Sequence, residues 1–255
     1  MSEEPQWTAW KAYLNSLFRT GGAGYELIKE TSLATGVDPS ERTVGRLFWR
    51  DDMEKYNVVK WGRIFPANTQ VQYINTVAAY EGDYVLSISN PTDHYCEAST
   101  KFGALKKEQK TAYEVRWFYR SGLMHITFAQ VRCGQVAADG LWAWIRWIYS
   151  RSDGHPGWIY YDPSGVIADL PGGIEYIDVD TWNYCRLVAD WDNEIYDRLI
   201  TNNLDIDLSS LSLPLRTVTE TPGHFRIHVN PATLATVALP YPIYVDDARL
   251  YLNVE

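Results

Sequence analysis

The chain ends in IYVDDARLYLNVE, residues 243–255, and its two adjacent acids are the first side chains that demand a chemical partner. Taken as a strand of period two, one face carries Tyr244, Asp246, Ala248, Leu250 and Leu252, and the other Ile243, Val245, Asp247, Arg249 and Tyr251. Asp246 thus shares a face with Ala248, Leu250 and Leu252, where a core is expected. An unpaired buried carboxylate costs several kcal/mol and must be neutralised, hydrogen-bonded or bound to a metal. The strand reading leaves three solutions open: a cation, backbone N–H donors at a sheet edge, or a bulge that exposes the acid.

Other reactive residue types are dispersed. His224 and His228 share a strand face with Arg226, but four residues of strand separate them by roughly 13 Å, too far for one metal ion. His94, His125 and His155 stand alone in different strands or turns. Ser164 lies in YDPSGV, which lacks the G-x-S-x-G pattern of a nucleophile elbow. Cys96, Cys133 and Cys185 form no C-x-x-C pair and read as reduced, buried thiols.

Aromatic residues offer more, with 11 Trp and 18 Tyr in the chain. In LWAWIRWIYS, Trp142, Trp144, Arg146 and Ile148 alternate with Ala143, Ile145, Trp147 and Tyr149. Both faces of this strand carry indole rings, and one of them packs a core. The other is either covered as well or lines a groove in which sugar rings stack on Trp142 and Trp144 while Arg146 binds hydroxyls. Trp158, Tyr160 and Tyr161, in GWIYYDPSG, are expected at an exposed turn with the same use.

The elements that position these residues change character near residue 45. Trp10, Tyr13, Leu14, Leu17 and Phe18 follow i, i+3, i+4, i+7, i+8, the apolar face of a helix, and GGAG at 21–24 stops it. Residues 1–44 therefore read as a partly helical extension. From 45 to 255 the period is two, in short runs such as YVLSIS, AYEVRWFY, LWAWIRWIYS, NYCRLVADW and EIYDRLI. Turn signals such as SDGHPG, DPSG and LPGG separate them. Many strands without crossover helices predict an all-β, two-sheet antiparallel jelly-roll sandwich.

A resemblance to a known family rests on three stretches. VDDARLY (245–251) is similar to the closing V-D-Y-V-R-V-Y strand of concanavalin A-like jelly rolls, especially the laminarinase-type glycoside hydrolases. FWRDDMEKYNVVKW (48–61) is similar to their opening strand, F-x-D-E-F…W. TWNYCRLVADWDNEIYDRLITNNLDIDLSSLSLP (181–214) resembles a strand pair of laminin G-like members. The resemblance implies that the first and last strands lie together, and that Asp246 and Asp52, with backbone carbonyls, hold a structural calcium ion. Backbone N–H bonds to Asp246 are the alternative. It also implies a paired-carboxylate strand, E-x-D-x-x-E, for hydrolysis. That motif is missing: EGDYVL lacks the second Glu after Glu81 and Asp83, and EYIDVD spaces Glu175, Asp178 and Asp180 wrongly.

Composition bounds the rest. A chain of 255 residues, 46% hydrophobic and 22% charged, can bury a large core. Its net charge of −9 without a basic run argues against a nucleic-acid partner. The sequence shows no signal peptide and no membrane span, so cytoplasmic synthesis is expected. The leading expectation is a non-catalytic structural or surface protein of a larger homo-oligomeric assembly, such as a capsid-decorating subunit at a virion surface. In that reading the stripe Trp10, Tyr13, Leu14, Leu17, Phe18 is an assembly arm that docks on neighbouring subunits. The alternative is a glycan-binding, lectin-like module; a divergent glycoside hydrolase comes third.

Overall fold

The computed structural model describes residues 46–54, 61, 63–65, 68–90, 97–102, 110–118, 129–136, 140–148, 151–177, 180–217, 225–233 and 239–254. The assembly-arm residues Trp10, Tyr13, Leu14, Leu17 and Phe18 lie outside them. Strands are numbered in chain order. One antiparallel sheet holds β1 (Arg46–Asp51), β3 (Gln70–Ile74), β4 (Val85–Asn90), β6 (Lys110–Phe118), β11 (Trp182–Asp190), β12 (Ile195–Thr201), β13 (Asp205–Asp207) and β16 (Leu239–Leu252). The second holds β2 (Arg63–Phe65), β5 (Glu97–Phe102), β7 (Ala129–Val136), β8 (Leu141–Ile148), β9 (Gly157–Tyr161), β10 (Ile167–Ile174), β14 (Arg216–Thr217) and β15 (Phe225–Thr233).

The order in the first sheet is β13-β12-β11-β6-β16-β4-β3, with β1 also on β16; in the second it is β10-β9-β8-β7-β15-β5-β2, with β14 on β8. The first and last strands do lie together, with Asp51 opposite Ala248 and Arg46 opposite Leu252. Among the described residues no helix is long and apolar enough to cross a membrane.

Period-two alternation sends one row of each strand into a shared core. From the first sheet come Tyr113, Val115 and Trp117 of β6, Cys185, Leu187 and Ala189 of β11, and Leu86 and Ile88 of β4. From the second come Leu141, Ala143, Ile145 and Trp147 of β8, with Trp158 and Leu170. The Trp117 and Trp147 rings face each other across the sandwich at 6.5 Å. Tyr196 ties the two sheets by hydrogen bonds. Its hydroxyl accepts from the Trp144 N–H and donates to the Trp144 carbonyl, each at 3.0 Å. It does so where β9, pairing Ile145–Ile148, and β14, pairing Leu141–Trp142, leave a gap on the same edge of β8.

The strand β16 departs from simple alternation. Asp246 pairs with Arg116, but Arg249 pairs with Glu114, so one extra residue sits in β16 between them. Asp247 absorbs it as a bulge, with its backbone in the left-handed region at φ 49°. Before the bulge the inward residues are Ile243 and Val245; after it they are Ala248, Leu250 and Leu252. Asp246 is thus on the outward face with Tyr244, not on the core face that uninterrupted alternation assigns to it.

Candidate functional site

The expected second-sheet surface divides in two. Trp142, Trp144 and Arg146 point outward from β8, where Trp144 meets Trp142 and Tyr161 at ring distances of 5.0 Å each. Arg146 donates to the Tyr161 hydroxyl at 2.7 Å, and the Arg216 guanidinium lies over Trp142 and Tyr161. Trp144 and Arg146 are nonetheless only 7% exposed each. The expectation for β9 is corrected. Trp158 pairs with Trp147 and Tyr160 with Ile145, both inward positions. Trp158 is fully buried and donates its indole N–H to Glu175, while Tyr160 packs on the core beside Tyr196. Burying a ring of this size contributes about 2–3 kcal/mol, so the core takes these residues.

The outward face of the first sheet presents the more open constellation, built of cross-strand rows over β11, β6 and β16. Register places Trp182, Phe118 and Tyr244 in one row and Tyr184, Arg116 and Asp246 in the next. Beyond the bulge, Arg186, Glu114, Arg249 and Arg50 of β1 form a third, and Val188, Ala112 and Tyr251 a fourth. Such neighbours interact directly: Arg186 pairs with Glu114 at 2.7 Å, and the tilted rings of Trp182 and Phe118 lie 5.5 Å apart.

The segment 75–84, between β3 and β4, folds over this face. Val77 and Ala79 join Val85, Tyr244, Phe118 and Trp182 in a small apolar cluster. Asp246 Oδ2 accepts the N–H groups of Tyr80 and Glu81 at 2.8 and 3.0 Å. Glu54 Oε1 accepts those of Asp83 and Tyr84. The Tyr80 ring, 47% exposed, then stands 4.1 Å from the Arg116 guanidinium and edge-on to Trp182 at 6.4 Å.

Two acids at the heart of this face are fully buried. Asp247 is surrounded by Arg50, Arg116 and Arg249. Burial pushes the Asp246 carboxyl up to about 7, against the pull of the N–H groups of Glu81, Asp247 and Tyr80 and with a smaller push from the Asp247 charge. The described residues do not assemble the expected calcium site here. Asp246 Oδ2 already holds two N–H donors, and three guanidiniums ring its neighbour. Asp52 accepts from the Glu54 N–H of its own turn at 3.4 Å. Among the described residues no group of three or more His, Cys, Asp or Glu could hold a metal ion. The buried acid of the opening strand is Asp51, not Asp52. It accepts from Trp61 Nε1 at 2.8 Å, the Tyr73 hydroxyl at 3.0 Å and the Met53 N–H at 3.1 Å. Burial, with the Asp51 charge next in size, holds the Tyr73 hydroxyl well above its usual ionisation range.

Tyr80, Phe118, Trp182, Arg50, Arg116 and Arg249 were not singled out from sequence. The alternation in WNYCRLV and AYEVRWF carries the rows, but the register that aligns them is set by contacts far apart in the chain.

Fold and site together define a two-sheet antiparallel jelly-roll sandwich with an aromatic and charged face. No protein-family model matches the chain, and no curated protein does. Solved structures do match. The cellulose induced protein Cip1 superposes with a TM-score of 0.51 at 13% identity, over 80% of this chain and 96% of that one. A xylan-binding domain of Paenibacillus barcinonensis gives 0.44 at 9% identity, over 84% and 98%. The carbohydrate recognition domain of Emp46p, in its potassium-bound form, gives 0.43 at 12%, over 82% and 95%. The first of these likenesses shows the fold alone.

Proposed function

We propose that the sandwich is a non-catalytic glycan-binding module and that the outward face of the first sheet is its contact surface. The observation that carries this reading is the exposed Tyr80 ring set against Trp182 and Arg116, above charged groups already fixed by one another. An aromatic ring stacks on the C–H face of a sugar, and guanidinium and carboxylate groups that are already ordered bind hydroxyls without a further ordering cost. In this reading the chain is a concanavalin A-like sandwich of the laminarinase or laminin G type that retains the scaffold without the paired-carboxylate strand. Its buried acids serve the fold: Glu175 accepts from Trp158 and Thr201, Glu114 pairs with Arg186, and Asp51 anchors Trp61 and Tyr73. The particle-subunit reading rests on the arm residues outside the described set, whereas the glycan reading rests on groups seen in contact.

Calorimetric titration against soluble β-glucan, xylan, mannan and alginate tests the proposal. At least one should bind saturably. Tyr80→Ala should weaken it about 3- to 10-fold, the range of a single aromatic contact, with little change in melting temperature because the ring is exposed. Trp142→Ala, on the second sheet, should leave affinity unchanged. Absence of binding to any polysaccharide, or full affinity in Tyr80→Ala, would overturn the assignment.

A further inference from the structure

Three guanidiniums converge on one buried carboxylate. Asp247 Oδ1 accepts from Arg50 Nε at 3.0 Å and Arg249 Nε at 2.8 Å, and Oδ2 is met by Arg116 Nη1 at 3.1 Å and Arg249 Nη2 at 2.6 Å. Four contacts use the acceptor capacity of a carboxylate. The next negative charge is Glu81, whose Oε2 lies 2.8 Å from Arg50 Nη2 and 3.8 Å from Arg249 Nη2. Asp246 spends Oδ2 on the Tyr80 and Glu81 N–H groups.

Glu81 differs from the other acids in how it is held. Its side chain is 54% exposed and belongs to the segment over the sheet rather than to a strand. An exposed ion pair of this kind contributes only about 0–1 kcal/mol, so an incoming carboxylate can take its place at little cost. The sugar that brings it is placed by contiguity: the Tyr80 ring rests on Arg116, Arg116 binds Asp247, and Asp247 binds Arg50 and Arg249.

We propose that this face selects glycans that bear carboxylates, with a uronic-acid carboxylate displacing Glu81 between Arg50 and Arg249 while its ring lies on Tyr80. The inference rests on the glycan-binding reading and adds the ligand class. A neutral sugar would leave Arg50 and Arg249 on Glu81 and gain no ionic contact from them. The chain's net charge of −9 opposes long-range attraction of anionic polymers, so the preference must come from these local contacts.

The experiment titrates the full chain, in buffer of physiological salt, with oligosaccharides of polygalacturonate and alginate and with their methyl esters, which keep the sugar and mask the charge. The acid form of at least one should bind about fivefold or more tighter than its ester, the size of one exposed charge contact. Glu81→Gln should tighten the acid form several-fold and leave the ester unchanged. Arg50→Gln should weaken the acid form alone, its melting curve reporting any loss of fold. Equal affinity for acid and ester, or a Glu81→Gln variant that binds like the parent, overturns the inference. If neutral β-glucan, xylan or mannan binds through Tyr80 while no uronate does, the ligand class fails and the glycan-binding reading stands. If nothing binds, both fail.

Discussion

Asp246 illustrates what a single residue can and cannot reveal before its neighbours are known. Two adjacent acids in an apolar strand announce that one must be buried, but the choice of face depends on the bulge at Asp247, which no local signal marks. Both acids end up buried on the outward side, by different means: Asp247 by guanidiniums, Asp246 by two backbone N–H groups. Its other oxygen, Oδ1, is buried without a hydrogen-bond partner among the described residues. Burial therefore moves the carboxyl from 3.8 to about 7. The folded state then binds more protons than the unfolded chain between these values, so stability falls as pH rises from about 4 to about 7 and levels off above. The ceiling on this contribution is about 4 kcal/mol. Asp246→Asn keeps an acceptor for the two N–H groups and removes the charge. Its melting temperature should exceed that of the parent at about pH 8, with the difference closing toward pH 5. EDTA should shift neither curve. A parent that melts lower in EDTA would restore a cation to this site, and variant and parent curves that run parallel across this range would refute the raised ionisation.

At the scale of elements, strands with strong alternation were legible and exceptions to it were not. LWAWIRWI, NYCRLVAD and the two halves of the closing strand follow the expected period because each sits between partners and sends one row into the shared core. LPGG reads as a turn yet lies inside β10, an edge strand whose register breaks between Asp169 and Ile174, where Pro and Gly are tolerated. Trp158 reads as a turn residue because Gly and Pro precede it, but the hairpin turn comes earlier. The segment 75–84, which carries Tyr80, has no periodic pattern, since its geometry is imposed by Asp246 and Glu54 rather than by its own side chains. Gly82 is the residue that allows this: its φ is +75°, and an added Cβ would come within 2.2 Å of Glu54 Oε1. The Glu54 carboxylate can swing away, at the loss of its bonds to Asp83 and Tyr84, but the backbone strain stays. Gly82→Ala should therefore cost about 1–2 kcal/mol, lower the melting temperature by several degrees, and weaken glycan binding as Tyr80 loses its setting. Gly82→Asn, which tolerates left-handed backbone better, should do less harm. Ala and Asn variants that both behave as the parent would show that the segment is not held in this way.

For the whole molecule, the two-sheet sandwich followed from the count and spacing of alternating runs, and the pairing of β1 with β16 from the resemblance of the chain's ends. The proposed binding face did not follow, because which indoles remain outside is decided by the core. Trp61, Trp117, Trp158 and Trp191 are fully buried, and the tryptophans most conspicuous in the sequence are among those largely covered. The same demand decides what the acids can do. A retaining glycosidase needs two carboxyl groups about 5–5.5 Å apart at an open cleft, one held protonated and one free to attack. In this sandwich Asp247, Glu114 and Asp51 are buried and committed to cationic or hydrogen-bonding partners. Glu175 is 4% exposed and holds Trp158, Thr201 and Asn203 in place. Glu81 is open, but the carboxylates beyond it are the buried Asp246, held by the N–H groups of Tyr80 and Glu81, and Asp247, locked by three arginines. Incubation with laminarin, mixed-linkage glucan and xylan should release no reducing sugar above a heat-killed control, even where the same polysaccharide binds. Turnover that disappears in Glu81→Gln with the fold intact would mean that the exposed acid works as a catalyst, and the face would then have to be reassigned from recognition to cleavage.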